Sequence, residues 1–202
     1  MTHIDNLSNI ELDQPSVLTI GVFDGVHKGH QALIRQLVEV AHAEDRLAVV
    51  LTFFPHPDQV MSGIKGQYYL TTAEQRAEYL LALGADYVVT QPFDDELRRM
   101  RAEVFVDQLV NHLRPEQLWV GVDFSLGYER EGNVAFLKQQ GKEKGFAVHT
   151  IDLLQTEDSS SAITSTLIRE ALKMGEVEQV RGWLGRAYSI SGQVVHGKQR
   201  GR

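Results

Sequence analysis

The chain of 202 residues has no cysteine, which excludes a disulfide framework and thiol nucleophiles and agrees with a reducing, cytoplasmic setting. It has no apolar run near the ~18 residues that a membrane-spanning helix needs. The opening MTHIDNLSNIELDQ carries acids and no apolar core, so it does not read as a secretory leader. That acidic arm is uninformative as sequence. Positive charge is also in short supply: 20 Lys and Arg against 27 Asp and Glu leave a formal net charge of −7, a field that disfavours nucleic acid. Internal repeats and low-complexity tracts are missing too. What remains, 43% hydrophobic and 23% charged, is the composition of a globular protein that can bury one sizeable core and begin another domain. An anionic small substrate would need locally placed bases, and Lys28, Arg130 and Arg169 each fall inside a motif described below.

The stretch GVFDGVHKGH, Gly21 to His30, organises the reading. The residues from Ser16 to Phe23 form a short apolar run rich in Val, Ile and Thr, as a buried strand requires. Leu33, Ile34, Leu37, Val38 and Ala41 then recur at helical spacing. The turn therefore joins the carboxyl end of a strand to the amino end of a helix, where unpaired amides carry partial positive charge and suit a phosphate. Gly21, Gly25 and Gly29 permit a tight turn and close ligand approach. His27 and His30, three apart, can point both imidazoles one way and donate to a phosphorus centre gaining charge. The plainer alternative is a strand-to-helix turn with two incidental surface histidines.

With its flanks, this HxGH resembles the FAD synthetase module of bacterial bifunctional riboflavin kinase/FAD synthetases, within the nucleotidylyltransferase superfamily. The resemblance implies that His27 and His30 are catalytic. It also implies that Gly21, Phe23, Asp24, Gly25, Lys28 and Gly29 line the ATP phosphates.

A second buried strand, Arg46 to Phe53, runs into Pro55-His56-Pro57, where the prolines are expected to make a stiff loop and prevent helix continuation. TFFPHP resembles the family's flavin-side loop. Residues from Asp58 to Leu70 read as irregular. Thr71 and Glu74 suggest a capping box, opening a helix that stops at Gly84. Asp86 to Thr90 is the third strand. Arg101 to Leu113 is an amphipathic helix whose apolar face is Val104, Phe105, Leu109 and Val110. Gln117 to Val122 is the fourth strand and leads into GVDFSLGYEREGN. That loop resembles the family's GxDFxFGxxRxG signature, which implies flavin or nucleotide contacts for Asp123, Phe124, Leu126 and Arg130. Leu126 stands where the signature has its second aromatic, and a leucine can cover a flavin without stacking on it. Asn133 to Lys144 is a helix and Phe146 to Leu153 a fifth strand.

Hydroxyls at Thr164, Ser165 and Thr166 crowd the start of a helix whose apolar face is Leu167, Ile168, Ala171 and Leu172, with Arg169 one turn in. Amides, hydroxyls and guanidinium together suit a polyphosphate. ITSTLIR resembles the superfamily's ISSTxIR, which implies that these residues hold the triphosphate opposite HxGH and that Arg169 is catalytic. A last helix, Glu176 to Leu184, precedes Ala187 to Val195, which reads as a strand and resembles the opening of the riboflavin kinase barrel. The chain reads as ending before that kinase's chemistry.

The expected fold is α/β: a Rossmann-like parallel sheet of about five strands with helices on both faces. The synthetase domain would span residues 1–185 and the incomplete start of a kinase-like domain 186–202. The resemblance implies that FMN and ATP give FAD and pyrophosphate, with magnesium on the triphosphate. Its metal ligands and oligomeric state stay open. No nucleic acid or membrane partner is expected. The alternatives are another HxGH transferase acting on a different phosphorylated substrate, and a flavin-nucleotide binder whose chemistry has lapsed. A Rossmann dehydrogenase is disfavoured because GxGxxG is missing after the first strand.

Overall fold

The computed structural model describes residues 1–63, 68–151 and 163–192. Its centre is a six-stranded sheet, every pairing parallel, in the order β1-β4-β3-β2-β5-β8. These strands are β1 Thr2–Ile4, β2 Ser16–Ile20, β3 Leu47–Phe54, β4 Tyr87–Pro92, β5 Pro115–Gly121 and β8 Ala147–Ile151. A two-stranded antiparallel ribbon, β6 Ser125–Leu126 with β7 Gly132–Asn133, stands apart from the sheet. The helices are α1 Lys28–Ala43, α2 Pro57–Ser62, α3 Ala73–Ala82, α4 Asp95–Arg99, α5 Ala102–Leu113, α6 Val134–Lys144, α7 Ser165–Met174 and α8 Val177–Leu184. No helix among the described residues is long and apolar enough to cross a membrane.

Both sheet faces are covered, which is why the strands read as continuous apolar runs. Alternate side chains of β3 divide between the two cores. Val49 and Leu51 join Phe105, Leu109 and Leu137 of α5 and α6 on one face. Ala48 and Val50 join Leu33, Ile34, Leu37 and Leu80 of α1 and α3 on the other. A third cluster, Leu70, Ile163, Ile168, Ala171, Val180 and Leu184, packs α7 and α8 together. From β2 the strand order runs one way through β3 and β4 and the other way through β5 and β8. Ligands bind at such a reversal, beyond the strands' carboxyl ends, and the loops leaving β2 and β5 are the two glycine-rich ones.

Several expectations are corrected. The sheet has six strands, because the N-terminal arm, uninformative as sequence, supplies one: β1 adds an edge by pairing with β4, and Leu7, Ile10 and Leu12 are buried in the core. A three-residue strand is too short to show a period, so it left no pattern to read. The capping box lies one residue later than expected, with the Thr72 hydroxyl and the Gln75 side chain exchanging bonds with each other's backbone. Pro57 opens α2 instead of blocking a helix, since at the first helical position no N–H is missed. On α5 the buried residues are Ala102, Phe105, Val106, Leu109 and Leu113, and Val104 faces out. Residues 187–192 carry no strand. The rest of the expected barrel strand, and residues 152–153 of the fifth strand, lie outside the described residues.

Gly141 shows how tightly α6 meets β8. A Cβ at that position would overlap the Phe146 carbonyl oxygen, which is backbone and cannot step aside. Gly141→Ala is therefore expected to lower stability by about 1–3 kcal/mol, read as a fall in the thermal midpoint.

Candidate active site

The turn after β2 is a strained piece of backbone. Phe23, Gly25 and Val26 have φ of 51°, 81° and 41°, a region open to glycine and costly, by about 1–3 kcal/mol each, for other residues. Such a shape persists only where its surroundings hold it. Phe23 helps from within: its ring is buried, meets His30 edge-on at 5.2 Å, and lies where a Cβ on Gly21 would strike it. Its ring therefore belongs to the core.

His27 caps α1, its Nδ1 accepting the His30 N–H at 3.4 Å. That contact leaves the ring proton on Nε2. The His27 and His30 rings stack with centroids 3.6 Å apart. Gly29 lets them do so, since a Cβ there would press on the His27 ring. Burial pushes the His27 imidazole down to about 4, against an opposing pull from Asp24. Burial also holds His30 well below the usual histidine range, with His27 and Arg76 adding to the effect. Both rings are thus neutral near pH 7. The buried His30 Nδ1 has no partner among the described residues.

Asp24, 1% exposed, is the junction of the site. Its carboxylate accepts from the Leu70 and Thr71 amides at 3.1 Å, and from the Thr71 hydroxyl. It also accepts from Arg76 at 3.4 Å and from Arg169 at 2.6 Å. Arg76 has no exposed surface; it further donates to Thr52 Oγ1 and the Phe53 carbonyl. Burial lowers its pKa, with Asp24 opposing.

The same residue joins the two motifs. Ser165 Oγ donates to the Asp24 carbonyl at 2.8 Å, so the start of α7 sits against the turn that opens α1. Thr164 caps α7 through the Leu167 amide. Thr166 and Lys28 are exposed. Arg169 donates Nε to the Tyr68 carbonyl at 2.8 Å and lies 4.1 Å over that residue's ring.

His56 caps α2 through the Asp58 amide and meets Tyr68 edge-on at 5.1 Å, which ties the Pro55-His56-Pro57 segment to Arg169. Burial lowers the His56 pKa. Pro55 and Pro57 flank it, half-buried. In the loop after β5, Asp123 and Arg130 are exposed, and Arg130 donates to the Asp123 carbonyl at 3.3 Å. Phe124 is half-buried and Leu126 is buried, both packed into the core on the α5 side. The Leu126 side chain abuts Gly132, so its departure from the aromatic is a change in packing. The structure thus brings His27, His30, Asp24, Ser165 and Arg169 together, reaches His56 through Tyr68, and leaves Asp123 and Arg130 on a separate loop.

Sequence reasoning missed Arg76, Thr71 and Tyr68. Only Arg76 had a visible signal: it falls in the stripe Ala73, Arg76, Ala77, Leu80, where an arginine on a buried helix face needs an internal anion.

Asp24→Ala leaves two arginines facing a buried gap, and the expected loss is about 3–5 kcal/mol of unfolding free energy, measurable in urea. A second expectation follows from His27. Its folded pKa of about 4 lies below the 6.5 of the free side chain, so the unfolded chain takes up the proton first. This contribution is complete above pH 6.5 and fades as pH falls through 4. From pH 7.5 to 5 the loss is about 2 kcal/mol, and His27→Gln is expected to show a correspondingly smaller fall in thermal midpoint.

Comparison with known proteins supplies the family. Bifunctional riboflavin kinase/FMN adenylyltransferase of Listeria monocytogenes is 37% identical over 191 residues, covering 94% of this chain and 60% of that protein. The protein of the same name from Escherichia coli strain K12 is 37% identical over 203 residues, covering 98% of this chain and 63% of the relative. The chain thus spans less than two thirds of the length of these relatives. A crystal structure of a Streptococcus pneumoniae protein titled macrolide-efflux protein superposes with a TM-score of 0.80 at 25% identity, covering 98% of this chain and 64% of that one. A family model described as FAD synthetase matches residues 9–167, a span holding β2, the histidine turn, Asp24 and the start of α7, and the chain therefore belongs to the FAD synthetase family.

Proposed function

We propose that the chain is an FMN adenylyltransferase, joining FMN and ATP into FAD and pyrophosphate. The observation that carries this reading is the meeting of two helix N-termini, α1 and α7, at Asp24 beside a pair of neutral imidazoles. Unpaired amides at both helix starts favour phosphate. Each neutral imidazole can donate one hydrogen bond without a charge that would hold the ground state.

A phosphate monoester carries roughly −1.5 to −2 charge at pH 7, so the FMN phosphate needs no general base. Its oxygen forms a bond to the ATP α-phosphorus while the bond from that phosphorus to the bridging oxygen breaks, and pyrophosphate leaves with the electron pair. The work of the protein is alignment and charge stabilisation. His27 and His30 donate to the α-phosphate oxygens as these gain charge. The α7 amides with Ser165 and Thr166, together with Arg169, hold the β- and γ-phosphates. Lys28, exposed at the first turn of α1, adds charge at the rim. Asp24 serves by holding Arg169 and the turn in place, since its carboxylate is engaged within the protein.

Pro55, His56, Pro57, Asp123, Phe124 and Arg130 border the flavin and adenine, with Leu126 supporting their loop from beneath. Magnesium would ride on the triphosphate. No group of three or more metal-binding side chains stands among the described residues, and triphosphate oxygens with waters suit this ion.

The test is incubation of the protein with FMN and MgATP, followed by chromatography for FAD and an assay for pyrophosphate. FAD is expected from the wild type, and His30→Ala, shown folded by circular dichroism, is expected to lose a hundredfold or more in kcat, as when a preorganised donor is removed. Absence of FAD at any enzyme concentration overturns the reading. Faster pyrophosphate release with another phosphorylated acceptor reassigns the substrate.

A further inference from the structure

Arg186 follows α8 and its cap Gly185, in the stretch that the sequence reading gives to a second domain, yet its guanidinium lies against the histidine turn. Its Nη2 donates to the Gly25 carbonyl at 2.6 Å. Its Nη1 donates to the carbonyls of Val26 at 3.2 Å and Leu184 at 3.3 Å. Gln31 of α1 holds the same pair, its Nε2 donating to Val26 at 2.9 Å and Leu184 at 2.8 Å. The Arg186 cation also lies 3.9 Å over the Tyr79 ring of α3.

Two of the three carbonyls that Arg186 gathers belong to consecutive residues in the left-handed region, Gly25 and the β-branched Val26. Nothing intrinsic to Val26 favours that conformation. A planar guanidinium fork can hold two adjacent carbonyls in fixed directions, whereas an ammonium acts as a point charge. Because the peptide is planar and trans, fixing the Val26 carbonyl also fixes the opposed N–H of His27, and with it the residue whose ring caps α1.

We propose that Arg186 is a positioning residue for adenylyl transfer: by clamping the Gly25 and Val26 carbonyls it sets the orientation of the His27 ring, and it touches no substrate itself. Its kinetic part rests on the FMN adenylyltransferase reading. Its structural part does not.

The experiment compares wild type, Arg186→Lys, Arg186→Met and, as control, Arg181→Met, an exposed α8 position. Steady-state FAD formation is measured per folded molecule, and 15N-histidine NMR reports the His27 tautomer. Arg186→Lys is expected to lower kcat about tenfold or more, the scale of a small misplacement of a catalytic group. KM for ATP and FMN should stay within about twofold. Arg186→Met is expected to lose more, and Arg181→Met nothing. The wild type should show a single Nε2–H tautomer at His27, and Arg186→Met a mixture. Unchanged kcat per folded molecule in both Arg186 variants, or an unaltered His27 tautomer, overturns the proposal. If the wild type makes no FAD while Arg186→Met still mixes the tautomers, the clamp stands and the reaction assignment fails.

Discussion

The carboxylate of Asp24, shut away from water and shared between Arg76 and Arg169, is the interaction on which the site depends. An isolated charge in that position would cost far more than folding could offset. Two guanidiniums, two backbone amides and a hydroxyl make the burial tolerable. These partners come from more than one element: Leu70 and Thr71 precede α3, Arg76 lies within it, and Arg169 lies on α7. Satisfying one carboxylate therefore docks α3 and α7 against the turn that opens α1. A buried ionic cluster of this kind is a weak source of net stability, and here its contacts tie α3 and α7 to one carboxylate.

That arrangement turns sheet topology into chemistry. The order reverses at β2, so the loops leaving β2 and β5 lie at the reversal, beyond the strands' carboxyl ends. Three left-handed residues in the β2 turn aim the start of α1, and the Ser165 hydroxyl on the Asp24 carbonyl brings α7 beside it. Two helix N-termini that are far apart in sequence then lie side by side. Strain in the turn and burial of the imidazoles belong to the same design: the rings are kept neutral because they are kept dry.

Much of the fold was legible because apolar periodicity survives in long, regular elements. Leu33, Ile34, Leu37 and Ala41 announced α1, and all four are buried. The central strands showed as Val- and Ile-rich runs because both faces are covered. The capping box slipped by one residue because Thr71 and Thr72 are adjacent hydroxyls, and only the tertiary structure gives Thr71 another partner, Asp24. Leu126 was implied as a ligand contact by the resemblance of its motif, and the structure places its side chain in the core on the α5 side.

The local chemistry of the chain was determined by sequence alone: a strand-to-helix turn bearing two histidines and three glycines, and a helix start rich in hydroxyls with an arginine one turn in. Such features depend on neighbours within a few residues, which a linear reading can see. Tertiary structure decided the rest. It assigned Asp24 to two arginines, buried Arg76, carried Arg186 back to the turn, and made the N-terminal arm an edge strand. These outcomes rest on contacts between distant segments, and a buried charge can be interpreted only when the group that faces it is known.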